Sequence, residues 1–229
     1  MTIKAWEGQS EINGKDIVLA IGAEKRKSRN PKTGPMVQVA AFVKDVSPLE
    51  AQKTGADEAT CGGCPLRPTL HKEAKSKNEE VSKYPCYVKT FRKLAQWAAI
   101  NKREVDYAGA LSALSGRSVR FGEYGNMSSV PREVIEPLMQ STNNHTLYEH
   151  EWEKEENQWL NLYAMASVHN LQERARAKEL GFRTFRVGDD PQDGEIFCPN
   201  HTHNVQCIDC KLCSGNKCGA KDVVNPPHM

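Results

Sequence analysis

"WLNLYAMASVHNLQERARAKELGFRTFRVG", residues 159–188, reads as a strand, a helix and a second strand. The apolar run 159–170 gives way to the charged "LQERARAKELG" (171–181), closed by its glycine, and "FRTFRVG" (182–188) resumes an extended pattern. Such a unit pairs its strands in parallel through a right-handed crossover. The same alternation extends upstream. "RSVRFGEYG" (117–125) is a strand ending in glycine, and "SSVPREVIEPLMQST" (128–142) is a helix with Ser128 or Ser129 as cap, Pro131 near its first turn and a kink at Pro137. "HTLYEHEW" (145–152) is a further strand. Residues 115–197 therefore predict an α/β fold whose mostly parallel sheet is open or curls into a partial (β/α) barrel.

Ligands of such sheets gather at the carboxyl ends of the strands. The residues there are Glu123 and Tyr124, Glu149, His150 and Glu151, Ser167, His169 and Asn170, and Arg186. Together they make a candidate pocket floor, although each alone reads as a surface residue. In "YEHEWEKEENQW" (148–159), Glu149 and His150 face opposite sides of a strand while Glu149 and Glu151 share one. A solvated charged turn is the favoured reading of that stretch.

The N-terminal region predicts a β-hairpin. "DIVLAIGAE" (16–24) and "MVQVAAFVKD" (36–45) flank "KRKSRNPKTGP", whose Asn30-Pro31 and Gly34-Pro35 mark a loop. Its cations Lys25, Arg26, Lys27, Arg29 and Lys32 suit a solvated tip that guards an edge, or a phosphate contact.

Lys and Arg total 31 against 29 Asp and Glu, so there is no global charge to draw nucleic acid or an acidic membrane. Residues 1–15 lack a signal-peptide core, and no apolar run approaches the roughly 20 residues of a membrane helix. The expected compartment is the reducing cytoplasm, where disulfides are rare. The eight cysteines then call for metal or cluster ligation.

They fall in two groups. Cys198, Cys207, Cys210 and Cys213 lie in the tail 198–229, which is short of aliphatics and crowded with Cys, His, Asn and Gly. A C-x-x-C-x-x-C run aims three sulfurs at one centre, with Cys198 as a fourth. Such thiolates repel unless an ion takes up their charge. An iron–sulfur cluster suits the set, and zinc fits almost as well, with His201 or His203 replacing a thiolate. Cys218 is left over. The tail thus reads as a metal-binding segment appended to an α/β domain, 1–197.

The front group is Cys61 and Cys64 in "CGGCPLRP" (61–68), with Cys86 in "YPCYV". Three ligands and an open position suit catalysis. Competing readings are zinc closed by His71, or a site completed by a tail cysteine. Val88, Phe91, Ala95 and Ala98 recur at helical steps, with Leu94 and Trp97 alongside, which predicts a helix with a buried face and Cys86 at its N-terminus. That position favours a thiolate. A thioredoxin-like role for Cys61 and Cys64 is disfavoured, because Pro65 and Pro68 obstruct the helix such a motif should open.

The order of these features resembles the phage-encoded proteins of the gene product eighty-eight type, which look like shortened radical S-adenosylmethionine enzymes. The likeness spans about residues 16–215 and rests most on "KTGPM", "CYV" (86–88) and "CKLC" (210–213). It implies that Cys61, Cys64 and Cys86 bind three irons of a 4Fe-4S cluster whose fourth iron holds S-adenosylmethionine. Glu123 in "RFGEYG" would be a contact for the methionine amine, and the tail would hold an auxiliary cluster or zinc. The chain departs from that family's compact cysteine motif in the long insert, residues 65–85, between Cys64 and Cys86. A loop can still fold back, since closure cost grows slowly with length.

Two functions follow. One is an iron–sulfur radical enzyme acting on a nucleotide or nucleic acid in a phage host's cytoplasm, with Glu123, His150 and His169 as proton-transfer groups. The other is a non-enzymatic zinc module binding nucleic acid or a host protein through the basic hairpin and helix 171–181.

Overall fold

The computed structural model describes residues 2–22, 30–78, 85–215 and 219–226. Most of the basic hairpin tip, including Lys25, Arg26, Lys27 and Arg29, lies outside the described residues, as does Cys218.

The chain is mixed α/β with two five-stranded sheets. The first runs in spatial order β1 (Ile3–Gln9), β2 (Asp16–Ile21), β3 (Val37–Val43), β4 (Ser118–Tyr124) and β5 (Asn144–Thr146). Its first three strands are antiparallel neighbours, with Ile17 opposite Val43 and Ile21 opposite Val39, as the hairpin reading expects. β4 and β5 then join in parallel. The alternation along β2 and β3 separates two cores. Ile17, Leu19, Ile21, Val39, Ala41 and Val43 face the main core, whereas Val18, Ala20, Ala40 and Phe42 face a smaller one with Ile100 and Tyr124. Strands covered on both faces read as unbroken apolar runs.

The second sheet is parallel throughout. It contains β6 (Tyr148–Glu149), β7 (Met165–Val168), β8 (Arg183–Val187), β9 (Glu195–Phe197) and β10 (Asp222–Asn225), in the order β6-β7-β8-β10-β9. Only Leu147 separates β5 from β6. Its N–H donates to the Cys213 carbonyl, and its own carbonyl accepts the N–H of Met165. The extended run 144–149 thus changes sheets at Leu147, with the tail wedged into the break. The tail also supplies β10, which lies between β8 and β9 with Val223 and Val224 fully buried. These few aliphatics do not make a core of their own; they complete one that the rest of the chain has begun.

Nine α-helices are described: α1 (Pro48–Thr54), α2 (Glu58–Cys61), α3 (Pro68–Ser76), α4 (Leu94–Asn101), α5 (Tyr107–Leu114), α6 (Arg132–Gln140), α7 (Leu171–Glu179), α8 (Pro199–His203) and α9 (Cys207–Cys210). None is long and apolar enough to cross a membrane.

Several local expectations need correction. Residues 159–164 are not a strand but belong to a 3-10 stretch, Glu155–Leu162, and its exit. Trp159 meets Tyr163 edge-on across the end of this stretch, with ring centroids 6.0 Å apart. Pro131, not Ser128 or Ser129, caps α6, since both serines lie in a preceding 3-10 turn. After Cys86 the chain stays irregular until the 3-10 turn Thr90–Lys93 that leads into α4. Phe91, expected on a buried face, is 59% exposed, whereas Val88 and Trp97 do pack against the smaller core beside the buried Ile100. Cys86 therefore has no helix N-terminus beneath it.

A thiol-lined cavity at the strand ends

A cavity of about 310 Å³ opens at the carboxyl ends of β4, β6, β7, β8 and β10. Glu123, Tyr124, Tyr148, His150, Ser167 and Phe185 come from those ends, and Cys61, Cys64 and Cys86 line the same space.

The geometry of the cysteine loop explains how distant residues meet. α2 ends at Cys61, and Gly62 turns the chain at φ +56°, where a side chain would be strained and would collide with the Glu151 carboxylate. Glu151 Oε1 accepts the Gly63 N–H at 2.5 Å, and its other oxygen pairs with Lys154 Nζ at 2.5 Å. The acidic stretch expected to be a solvated turn is therefore partly interior. Glu149 is fully buried and Glu151 is 6% exposed, since each satisfies backbone donors. Arg67 clamps the other side of the loop. It donates to Asp57 Oδ1 at 3.0 and 3.1 Å and to the carbonyls of Gly62 and Gly55, both at 2.8 Å. The Cys86 N–H donates to the Leu66 carbonyl at 2.7 Å and brings in the third thiol.

Burial, then the Asp57 and Cys86 charges, pushes the Cys61 thiol up to about 12. Burial followed by Cys61 raises Cys64 well above its ordinary value, and burial also raises Cys86. The expected thiolate at a helix N-terminus is thus absent: desolvation dominates and keeps these groups neutral unless a cation joins them. Among the described residues, no group of three or more Cys, His, Asp or Glu side chains converges tightly enough to hold a single metal ion. No two of the seven described cysteines are joined in a disulfide.

His150 is fixed by its neighbour. Asn126 Nδ2 donates to the Cys61 carbonyl at 2.9 Å, which turns Asn126 Oδ1 toward His150 Nδ1 at 3.0 Å. Nδ1 therefore carries the hydrogen and Nε2 keeps its lone pair. Burial, with His169 adding to it, pushes His150 down to about 3. His169 stacks on His150 with ring centroids 6.2 Å apart and is not on the cavity wall; burial lowers it too. Glu123 is on the wall, with Oε1 2.5 Å from Lys93 Nζ.

Other strand-end residues have structural roles. Glu149 accepts from the N–H groups of Ser128, His150 and Glu151 and from Ser128 Oγ. Arg186 forms a bidentate pair with Glu195 at 2.9 and 2.6 Å, and Asn170 caps α7. The cations of α7, candidates for phosphate contact, are already engaged. Arg174 reaches Glu195 and Asp222, Arg176 reaches Glu153, and Lys178 reaches Asp222.

In the tail, Cys198, Cys207 and Cys213 are buried and Cys210 is half-buried. Burial pushes Cys213 up to about 12, with Cys207, Cys198 and Cys210 adding to the shift and the neighbouring Tyr148 hydroxyl opposing it. His201 and His203 are exposed on α8, and His71 on α3 is buried away from the cavity lining. The Cys207 N–H donates to the Lys32 carbonyl at 2.9 Å, tying the tail to the hairpin, and Cys207 also lines the cavity.

Sequence reasoning missed Arg120, Asn126, Tyr148 and Glu151's anchoring role. Arg120 had a signal: Val119 and Phe121 enter the main core, so strand alternation turns Arg120 to the opposite face. Comparison with family models, curated proteins and solved structures returned no match for this chain.

Proposed function

We propose that this chain is an iron–sulfur protein of the radical S-adenosylmethionine kind, similar to the phage gene product eighty-eight type and working in the host cytoplasm. The observation that carries this reading is that Cys61, Cys64 and Cys86 line one cavity at the carboxyl ends of parallel strands. The link through Leu147 supports treating the two sheets as one curled sheet, a partial (β/α) barrel open at that cavity.

The donor set suits a cluster. Three thiols, Cys64 buried and Cys61 and Cys86 half-buried, have no protein cation paired with them, so ionising them together requires an inorganic cation. A cluster takes one thiolate per iron and does not need its ligands to meet at a point. The buried Tyr124 hydroxyl on the same wall has no hydrogen-bond partner among the described residues, leaving a donor for an occupant. When bound, a reduced cluster supplies an electron to S-adenosylmethionine and so opens hydrogen-abstraction chemistry.

The chain's own groups would position and shield. Glu123 accepts from an amine and is held by Lys93. His150, neutral and hydrogen-bonded at Nδ1, offers Nε2 as a hydrogen-bond acceptor for a substrate donor. Tyr148 and Phe185, with centroids 4.5 Å apart, exclude water from one wall. The tail thiols would hold a second inorganic centre, an auxiliary cluster or zinc.

Iron, zinc and acid-labile sulfide should be counted on anaerobically purified protein, alongside Cys61, Cys64 and Cys86→Ser and Cys207, Cys210 and Cys213→Ser variants. The parent should be brown, the front variant should lose one cluster's iron, and S-adenosylmethionine should perturb the paramagnetic signal of the remaining front site in the tail variant. Colourless protein with stoichiometric zinc in both sites refutes the proposal.

A further inference from the structure

Four arginines are buried in the described residues: Arg67, Arg120, Arg183 and Arg186. Three are compensated. Arg67 pairs with Asp57, Arg186 with Glu195, and Arg183 donates to the carbonyls of Leu212, Ser214, Gly215 and Lys221. Arg120 differs. It is 7% exposed, its buried Nε, like that of Arg183, has no partner among the described residues, and where Arg183 has four carbonyl acceptors its NH2 donates only to the Tyr87 hydroxyl. Glu123 acts on it at longer range, but Lys93 already holds that carboxylate.

A guanidinium removed from water without a carboxylate is costly, and the usual solution is an anion bound in the fork that the guanidinium presents. Arg120 lines the cavity, as does Lys32 from the hairpin. Aromatic side chains stand beside it: the Tyr87 ring lies 5.9 Å below its guanidinium, and Tyr148 packs on Phe185.

We propose that Arg120, assisted by Lys32, binds the oxyanion of an acidic substrate, a phosphate or carboxylate joined to a flat apolar body that rests against Tyr87, Tyr148 and Phe185. This deepens the reading of the cavity as an active site. It does not depend on the cluster, because none of these residues is a thiol.

The probes are a nucleoside and its 5′-monophosphate, titrated calorimetrically against anaerobic full-length protein. In the parent the phosphate should tighten binding by about 10- to 100-fold, the range of a charged hydrogen bond. Arg120→Gln should abolish that preference, Arg120→Lys should keep part of it, and Lys32→Gln should weaken it. The preference should survive in the Cys61, Cys64 and Cys86→Ser variant, which separates this inference from the cluster proposal. Equal affinity for the two probes in the parent overturns it, as does an unchanged preference in a folded Arg120 variant. Two other sources of the anion are resolved by the same protein. If Arg120→Lys lowers only S-adenosylmethionine affinity, the oxyanion is that cofactor's carboxylate; if it lowers only the tail's metal content, the charge serves Cys207. Either result overturns the substrate assignment.

Discussion

Replacing Arg67 with Met should unlatch the cysteine loop. The guanidinium is 6% exposed and makes four hydrogen bonds, two to Asp57 and one each to the carbonyls of Gly55 and Gly62. Methionine fills much of the volume but satisfies none of these acceptors. Removing one partner of a buried ion pair costs about 3–5 kcal/mol. That is a large share of the about 5–15 kcal/mol that holds a domain folded. The loss should depend on pH in a direction that marks its cause. Burial already raises the Asp57 carboxyl above its ordinary value despite the opposing pull of Arg67. Without the guanidinium it should rise further. A carboxyl raised in the folded state contributes stability below its unfolded pKa and loses that contribution as pH rises through the folded value. The penalty should therefore be smaller near pH 5 than near pH 8. A second variant, Asp57→Leu with Arg67→Met, removes the stranded acid and should recover at least about 1 kcal/mol, with the two orphaned carbonyls limiting recovery. Urea denaturation at both pH values measures all of this. A single variant within about 1 kcal/mol of the parent, or a penalty that shrinks with rising pH, would refute the clamp.

Three more outcomes follow from the geometry. His150, held near 3 against an ordinary 6.5 by burial, contributes stability that is complete above about pH 6.5 and lost as pH falls toward 3; chemical unfolding of the parent should show a steeper decline across that window than His150→Gln, and parallel profiles count against the assignment. Glu151→Ala removes the acceptor of the Gly63 N–H, so hydrogen exchange at residues 61–64 should accelerate while β2 and β3 stay protected. Gly125, at φ +80° with the carbonyls of Ala41 and Thr60 3.1 Å from any added Cβ, should lose about 1–3 kcal/mol on mutation to Ala; a thermal midpoint equal to the parent's would contradict this.

Which parts of this were visible in the chain depends on how far apart the interacting residues lie. The helix at 171–181 and its flanking strands were legible because periodicity and a terminal glycine are local signals. The hairpin was legible for the same reason. Cys86 was misplaced onto a helix end because apolar spacing at 88–98 looks helical, although the chain there follows the Leu66 carbonyl instead. Glu149 and Glu151 looked solvated, since charge predicts exposure when the partner donors are not in view. Those donors are backbone N–H groups at 63 and 128, supplied by other loops, and at 150 and 151, turned back onto Glu149 by the stretch's own folded backbone.

Residue types and their order alone established an α/β chain with a parallel sheet and two sets of thiols, because hydrophobic period and cysteine spacing are written in consecutive residues. Folding was needed to put Cys61, Cys64, Cys86 and Cys207 on one cavity, to thread the tail strand between β8 and β9, and to strand Arg120 without a carboxylate. Those facts depend on which distant segments meet and exclude water together, and burial of that kind acts through space rather than along the chain.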